Sequence, residues 1–101
     1  MSDSPILDAA FALAKKAHGP ASHAEAKDQL QTQYPDKSFD EITDAYLRAC
    51  ALADACYDAG DQLIGHWDRE RQILASLRER FRGFSEETYQ DALTWGAFLA
   101  R

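Results

Sequence analysis

The sequence predicts an all-α protein, a compact bundle of about five helices in a single domain that spans residues 1–101. Three observations support this prediction. Apolar residues recur at intervals of three and four, which is the period of an amphipathic helix. Serine residues that can cap a helix precede several of these segments, and glycine or proline follows them. A chain of 101 residues has the length of one ordinary domain with one core.

Helix 1 is predicted to begin at Ser4 and to end near His18. Ser4 is a suitable N-cap, and Pro5 stands at the first helical position, where its missing N–H costs nothing. Gly19 and Pro20 follow the apolar segment, and this pair provides a left-handed C-terminal residue and then a block to further helix.

Two Ser-x-x-Glu capping boxes predict where the next two helices begin. Ser22 and Glu25 form the first box, so helix 2 should start there and run to about Gln33. Ser38 and Glu41 form the second box and should start helix 3. In this motif each side chain accepts a hydrogen bond from the other residue's backbone N–H, which stabilises the first turn.

Helix 3 is predicted to be the Ala-rich, buried centre of the bundle. Its polar residues fall in one narrow stripe, which consists of Asp40, Asp44, Arg48, Asp54 and Asp58. More than half of its circumference is therefore left to alanine, cysteine, leucine, isoleucine and aromatic residues. Because alanine allows neighbouring helices to approach closely, helix 3 should pack on two or three sides.

The junction between helices 3 and 4 has two interpretations. Gly60 and Asp61 offer a break, yet the apolar pattern continues in phase beyond them. We favour separate helices, with helix 4 from about Gln62 to Arg82, because an antiparallel bundle buries its apolar stripes internally. One continuous helix would need a partner chain, so the protein would then be an obligate dimer.

A helix-turn-helix unit is predicted to occur twice at an offset of 47 residues. In each unit an aromatic residue ends a helix, a tight turn follows, and a serine caps the next helix. The aligned pairs are Leu30 and Leu77, Tyr34 and Phe81, Ser38 and Ser85, Asp44 and Asp91, and Ala45 and Ala92. Shared turn geometry explains this match as well as duplication does.

Ser85 should begin helix 5, with Phe84 and Tyr89 spaced as a hydrophobic staple.

The composition bounds the partners and the location that we expect. A formal net charge of −6 disfavours binding to a nucleic-acid backbone or to an anionic membrane surface. Apolar runs are too short to span a bilayer, and no basic region precedes the apolar segment at residues 6–17 as it would in a signal peptide. We therefore expect a cytoplasmic protein whose partner is another protein or a second copy of itself.

The cysteine and histidine residues do not predict a metal site or a nucleophile. Cys50 and Cys56 lie six residues apart, so on one helix they point in different directions and cannot form a disulfide bond. The three histidines are not clustered with each other or with cysteine at the spacing of a zinc site. We expect two reduced thiols and a fold that needs no cofactor.

An acidic pattern suggests one alternative with metal. Glu41-x-x-Asp44 and Asp58-x-x-Asp61 place carboxylates three residues apart, and two such pairs on facing helices can hold Mg²⁺ or Mn²⁺. This layout resembles that of all-helical nucleotide pyrophosphohydrolases, and the resemblance implies metal-dependent hydrolysis. The competing interpretation is a solvated polar stripe, which is favoured because 17 acidic residues make such spacing common.

Helix 5 carries the best candidate surface. Tyr89, Leu93 and Gly96 can form its core stripe, whereas Trp95 and Phe98 lie off that stripe. Aromatic residues beyond what one helix face can bury indicate an interface, to which we add Trp67 as a third candidate. The alternative is that helix 5 lies between two neighbours and buries all of its aromatic residues.

Two functions follow from these patterns. We favour a small acidic helical interaction module rather than an enzyme, acting as a homodimer or as an inhibitor or immunity-type protein that covers a basic partner surface. The second is a metal-dependent hydrolase that uses the acidic stripe.

Overall fold

Five α-helices and one short 3₁₀ turn form the part of the chain that the structure, a computed structural model, describes. This part is residues 4–100, without the side chains of Ser4, Trp67 and Ala100. The helices are α1 (Ser4–Ala14), α2 (Pro20–Gln33), α3 (Phe39–Leu63), α4 (Glu70–Arg80) and α5 (Glu86–Ala100), and the 3₁₀ turn is Trp67–Arg69. There is no strand in residues 4–100, so the all-α prediction is confirmed.

The central position of α3 is also confirmed. This 25-residue helix packs against all four other helices. Its buried residues are Ile42, Ala45, Tyr46, Ala49, Leu52, Cys56, Ala59, Gly60 and Leu63. Small residues predominate among them, so neighbouring helices approach α3 from several sides.

The helices alternate in direction along the chain. Asp8 near the start of α1 contacts Ser85 before α5, and Lys15 just after α1 pairs with Asp91 further along α5. These contacts show that α1 and α5 run in the same direction. The extents of the molecule along its principal axes are 43 × 32 × 16 Å.

The closest approach in the fold is the crossing of α3 and α5. Gly60 lies against the backbone of Gly96 and Ala97, and Gly96 lies against the carbonyl group of Cys56. A Cβ atom on either glycine would overlap these backbone atoms. The two helices can pack this closely only because both positions lack a side chain.

The predicted break at Gly60 is therefore wrong, although helices 3 and 4 are separate as expected. Gly60 is a buried residue inside α3, where it serves the contact with α5. The chain turns instead at Gly65, which has a φ of +81° that favours glycine. As a result α4 is shorter than predicted, because it begins at Glu70 and ends at Arg80.

Two predicted boundaries at the start of the chain also need correction. Helix α1 ends at Ala14, before His18. Helix α2 begins at Pro20, and Ser22 lies inside its first turn without forming a capping box. Gly19, with a φ of +86°, is the N-cap, and Pro20 fits the first helical position because it has no N–H to leave unsatisfied.

The two predicted helix-turn-helix units agree at the residue after the first helix and at the serine cap, but their turns differ, because Gly83 has a φ of +103° and the aligned Asp36 does not have a positive φ. Tyr34 after α2 has φ and ψ of −128° and 66°, and Phe81 after α4 has −129° and 73°. The hydroxyl group of Ser38 accepts a hydrogen bond from the backbone N–H of Glu41, and that of Ser85 accepts one from Thr88. In the second unit Phe84 and Tyr89 pack edge to face, as the staple predicts.

No helix within the described residues is long and apolar enough to cross a membrane.

The glycine crossing leads to a stability prediction. Gly96→Ala should lower the free energy of unfolding by about 3 kcal/mol or more, because the new methyl group meets backbone that cannot rotate away. Gly65→Ala is the control, since its Cβ would meet open space. Only the strain of its positive φ, about 1–2 kcal/mol, should lower the free energy of unfolding. Urea denaturation of both variants measures the difference. Equal losses of stability would contradict the close crossing.

Candidate interaction surface

The crossing with α3 fixes which side of α5 faces the core. Tyr89, Ala92, Leu93 and Gly96 are buried, so they form the side of α5 that faces the core. Phe98 and Leu99 are exposed over 58% and 47% of their surfaces. These values are high for large apolar side chains, and they occur together at one end of the molecule.

A groove lies beside Phe98, between the end of α3, the start of α4 and the second half of α5. It has a volume of about 410 Å³ and is lined by Leu63, Ile64, Glu70, Leu93, Thr94, Ala97 and Phe98. Leu63 and Leu93 are buried in its floor, whereas Ile64 and Phe98 form exposed edges. We call this feature the apolar groove. Concave, mostly apolar surfaces with a few polar groups are typical of binding sites.

Trp95 supports the outer edge of the apolar groove. Its ring stacks on that of Phe98, with centroids 5.9 Å apart and planes inclined by 20°. Trp95 is half-buried against the core, and the Lys15 ammonium group lies 5.6 Å from its ring centroid. Lys15 is itself held by an ion pair of 2.5 Å with Asp91. The Phe98 ring therefore rests on a supported side chain, which lowers the entropy lost when a ligand binds.

One negative charge, that of Glu70, lines the apolar groove. The acidic residues of α5 are not in this lining, and two of them, Asp91 and Glu86, are paired with Lys15 and Arg78. Asp58 and Asp61 are exposed on the last turns of α3. The basic residues nearest in sequence are Arg69 and Arg71, on either side of Glu70. A carboxylate in an otherwise apolar lining favours a partner that carries a basic group beside its apolar anchor.

The structure brings together two of the three predicted interface residues, Trp95 and Phe98. Trp67 belongs to the 3₁₀ turn, but its side chain lies outside the described residues. Sequence reasoning missed Ile64, because the predicted helix 4, from about Gln62, included it. Its exposure follows from the turn at Gly65, and that glycine was the signal that could have identified it.

The acidic residues proposed as metal ligands do not converge. Glu41, Asp44, Asp58 and Asp61 all lie on α3, and the 17 residues from Glu41 to Asp58 correspond to about 25 Å of helix. No group of three or more His, Cys, Asp or Glu residues in the described structure could hold a metal ion. Glu41 instead completes the capping box, and hydrogen bonds from Ser38 hold its pKa below the usual value.

The cysteines are unpaired and poorly suited to nucleophilic chemistry. Cys50 is half-buried and Cys56 is buried, where its thiol donates to the carbonyl oxygen of Ala53 at 2.9 Å. Burial raises the pKa of the Cys56 thiol from 9.0 to about 11, so little thiolate forms near neutral pH. The nearest partner of His23 is the hydroxyl group of Tyr46, at 2.6 Å from Nδ1. This pair joins α2 to α3.

Comparison of the chain with protein-family models, with curated proteins and with solved structures finds no match.

The raised thiol pKa predicts a specific pH dependence of stability. Between pH 9 and 11 the unfolded chain loses the Cys56 proton while the folded chain retains it, so the free energy of unfolding should fall as pH rises. Cys56→Ala should reduce this slope, although it also changes packing. Urea denaturation at pH 8, 9, 10 and 11 gives the slope of the free energy of unfolding against pH for each protein. The difference between the two slopes removes the contribution of the other titrating groups. Identical slopes would contradict the burial of an ionisable thiol here.

Proposed function

We propose that this protein is a small interaction module that receives a basic, amphipathic helical segment of a partner protein in the apolar groove. The observation that supports it most directly is the position of exposed Ile64 and Phe98 over the buried floor of a 410 Å³ groove. An amphipathic helix binds such grooves by inserting large apolar side chains at intervals of three or four residues.

The charge of the protein supports a basic partner over a second copy of the chain. Each molecule has a formal net charge of −6, so two copies repel each other over the range of the Debye length. A partner with lysine or arginine beside its apolar anchor gains attraction to Glu70 in the groove lining. This is the inhibitor or immunity type of module, in which an acidic protein covers a basic surface.

The free cysteines support a cytoplasmic setting for this interaction. Cys50 and Cys56 are both reduced and both on α3. Unpaired thiols are common in proteins of reducing compartments.

A pair of designed peptides tests this function. One is an 18-residue amphipathic helix of leucine and lysine, and the other has glutamate in place of lysine. The lysine peptide should bind in fluorescence anisotropy, and its affinity should fall as salt is raised. The glutamate peptide should bind at least about tenfold more weakly, because it meets like charge at the groove.

Two phenylalanine variants locate the binding site. Phe98→Ala should weaken binding of the lysine peptide by about tenfold or more, since it removes an aromatic anchor worth about 1–3 kcal/mol. Phe39→Ala is the matched control, because Phe39 is 69% exposed but lies outside the groove. The affinity of the Phe39→Ala variant for the lysine peptide should stay within about twofold of that of the unmodified protein.

Three results would contradict the proposal. The first is equal affinity for the two peptides, and the second is equal loss of affinity in the two variants. The third is a dimer in light scattering that becomes a monomer on Phe98→Ala, because the groove would then be occupied by a second copy.

A further inference from the structure

A second hollow lies between the middle of α3 and the turn that joins α4 to α5. Its volume is about 410 Å³, and its lining consists of Arg48, Ala51, Glu79, Arg80, Phe81, Arg82 and Phe84. We call it the arginine groove. Three guanidinium groups and one carboxylate make this hollow positively charged on a protein whose net charge is negative.

The fold itself holds Arg48 in position. Its Nη2 atom donates a hydrogen bond of 2.6 Å to the backbone carbonyl oxygen of Arg82. Gly83, with a φ of +103°, leaves room for this contact, since a Cβ atom there would lie 2.9 Å from Nη2. Arg48 is therefore a half-buried cation that is fixed to the α4–α5 turn.

The other two arginines are exposed at the edge of the arginine groove. The guanidinium carbon of Arg80 lies 5.1 Å from the centroid of the Phe81 ring, so this side chain is stacked beside the hollow. Within the described part of the chain, none of Arg48, Arg80 and Arg82 lies within ion-pair distance of a carboxylate. Their charges are therefore not neutralised by direct ion pairs.

From this arrangement we propose that the arginine groove binds the phosphate group of a small phosphorylated molecule. Guanidinium groups bind phosphate oxygens through paired N–H donors, and a phosphate monoester carries up to two negative charges at neutral pH. The excess of two positive charges in the lining matches that charge. Phe84 and Ala51 supply apolar surface for the remainder of the molecule, with the Phe81 ring at its side.

The size and charge of the site favour a small molecule over a nucleic acid. A hollow of 410 Å³ lies within the range of small-molecule sites, whereas a nucleic-acid surface extends over several phosphates. The acidic residues of α3 on either side of Arg48, including Asp44 one turn before it and Asp54, would repel a longer polyanion. The site is separate from the apolar groove and does not depend on the function proposed for it.

Nuclear magnetic resonance titration of the full chain tests the proposal with three probes at 150 mM salt. Ribose 5-phosphate and inorganic phosphate distinguish a phosphorylated molecule from free phosphate, and ribose is the uncharged control. Ribose 5-phosphate should shift the amide signals of Arg48, Phe81 and Arg82 at millimolar concentration. Ribose should shift none of them, and inorganic phosphate should bind at the same residues more weakly.

Exposed arginines provide matched variants for this titration. Arg82→Gln should weaken binding of ribose 5-phosphate by about tenfold, because one charged donor is lost from the lining. Arg71→Gln removes the same charge from an exposed position outside the hollow, so it should change the affinity by less than about twofold. Phe98→Ala should have no effect, which separates this site from the apolar groove.

The proposal is overturned if ribose 5-phosphate causes no shifts up to 10 mM, or if the two arginine variants weaken binding equally. Equal binding of ribose and ribose 5-phosphate would also overturn it, because the phosphate would then contribute nothing. A heteronuclear spectrum of each variant without ligand shows that the fold is retained before the affinities are compared.

Discussion

The contact between Gly60 of α3 and Gly96 of α5 is the constraint on which the rest of the structure depends. Because neither residue has a side chain, the two backbones meet directly, and no other rotation of α5 would bring Gly96 against Cys56. This rotation buries Tyr89 and Leu93 and leaves Phe98 exposed. The same contact keeps α3 helical through Gly60, so the chain turns only at Gly65 and brings Ile64 to the edge of the apolar groove.

The two grooves lie in different parts of the molecule and differ in chemistry. The apolar groove lies at the end of α3, where α5 contributes Leu93, Thr94, Ala97 and Phe98 and α4 contributes the carboxylate of Glu70. The arginine groove lies near the middle of α3, where Arg48 joins that helix to the α4–α5 turn. In the apolar groove the ring of Trp95 supports that of Phe98. In the arginine groove a hydrogen bond to the carbonyl oxygen of Arg82 positions Arg48. Such support reduces the entropy lost on binding, so a chain of 101 residues can present two defined surfaces.

The sequence predicted several features that depend on local chemistry, although the Ser22–Glu25 capping box does not form. The serine caps at Ser38 and Ser85 and the Phe84–Tyr89 staple depend on residues within a few positions of each other, and all three occur. The role of Gly60 could not be predicted in this way. A glycine can end a helix or allow a close crossing, and the choice depends on Gly96, which lies 36 residues later in the chain. Ile64 was missed for the same reason, because its exposure follows from that choice.

We propose that the crossing of α3 and α5 creates the groove that binds a basic amphipathic helix. The most direct measurement is a set of intermolecular nuclear Overhauser effects between the leucine methyl groups of the lysine-containing peptide and the protein. These methyl groups should contact the Ile64 methyl groups and the Phe98 ring. Contacts that instead involve Leu47 or Phe39, which are exposed outside the groove, would contradict the claim.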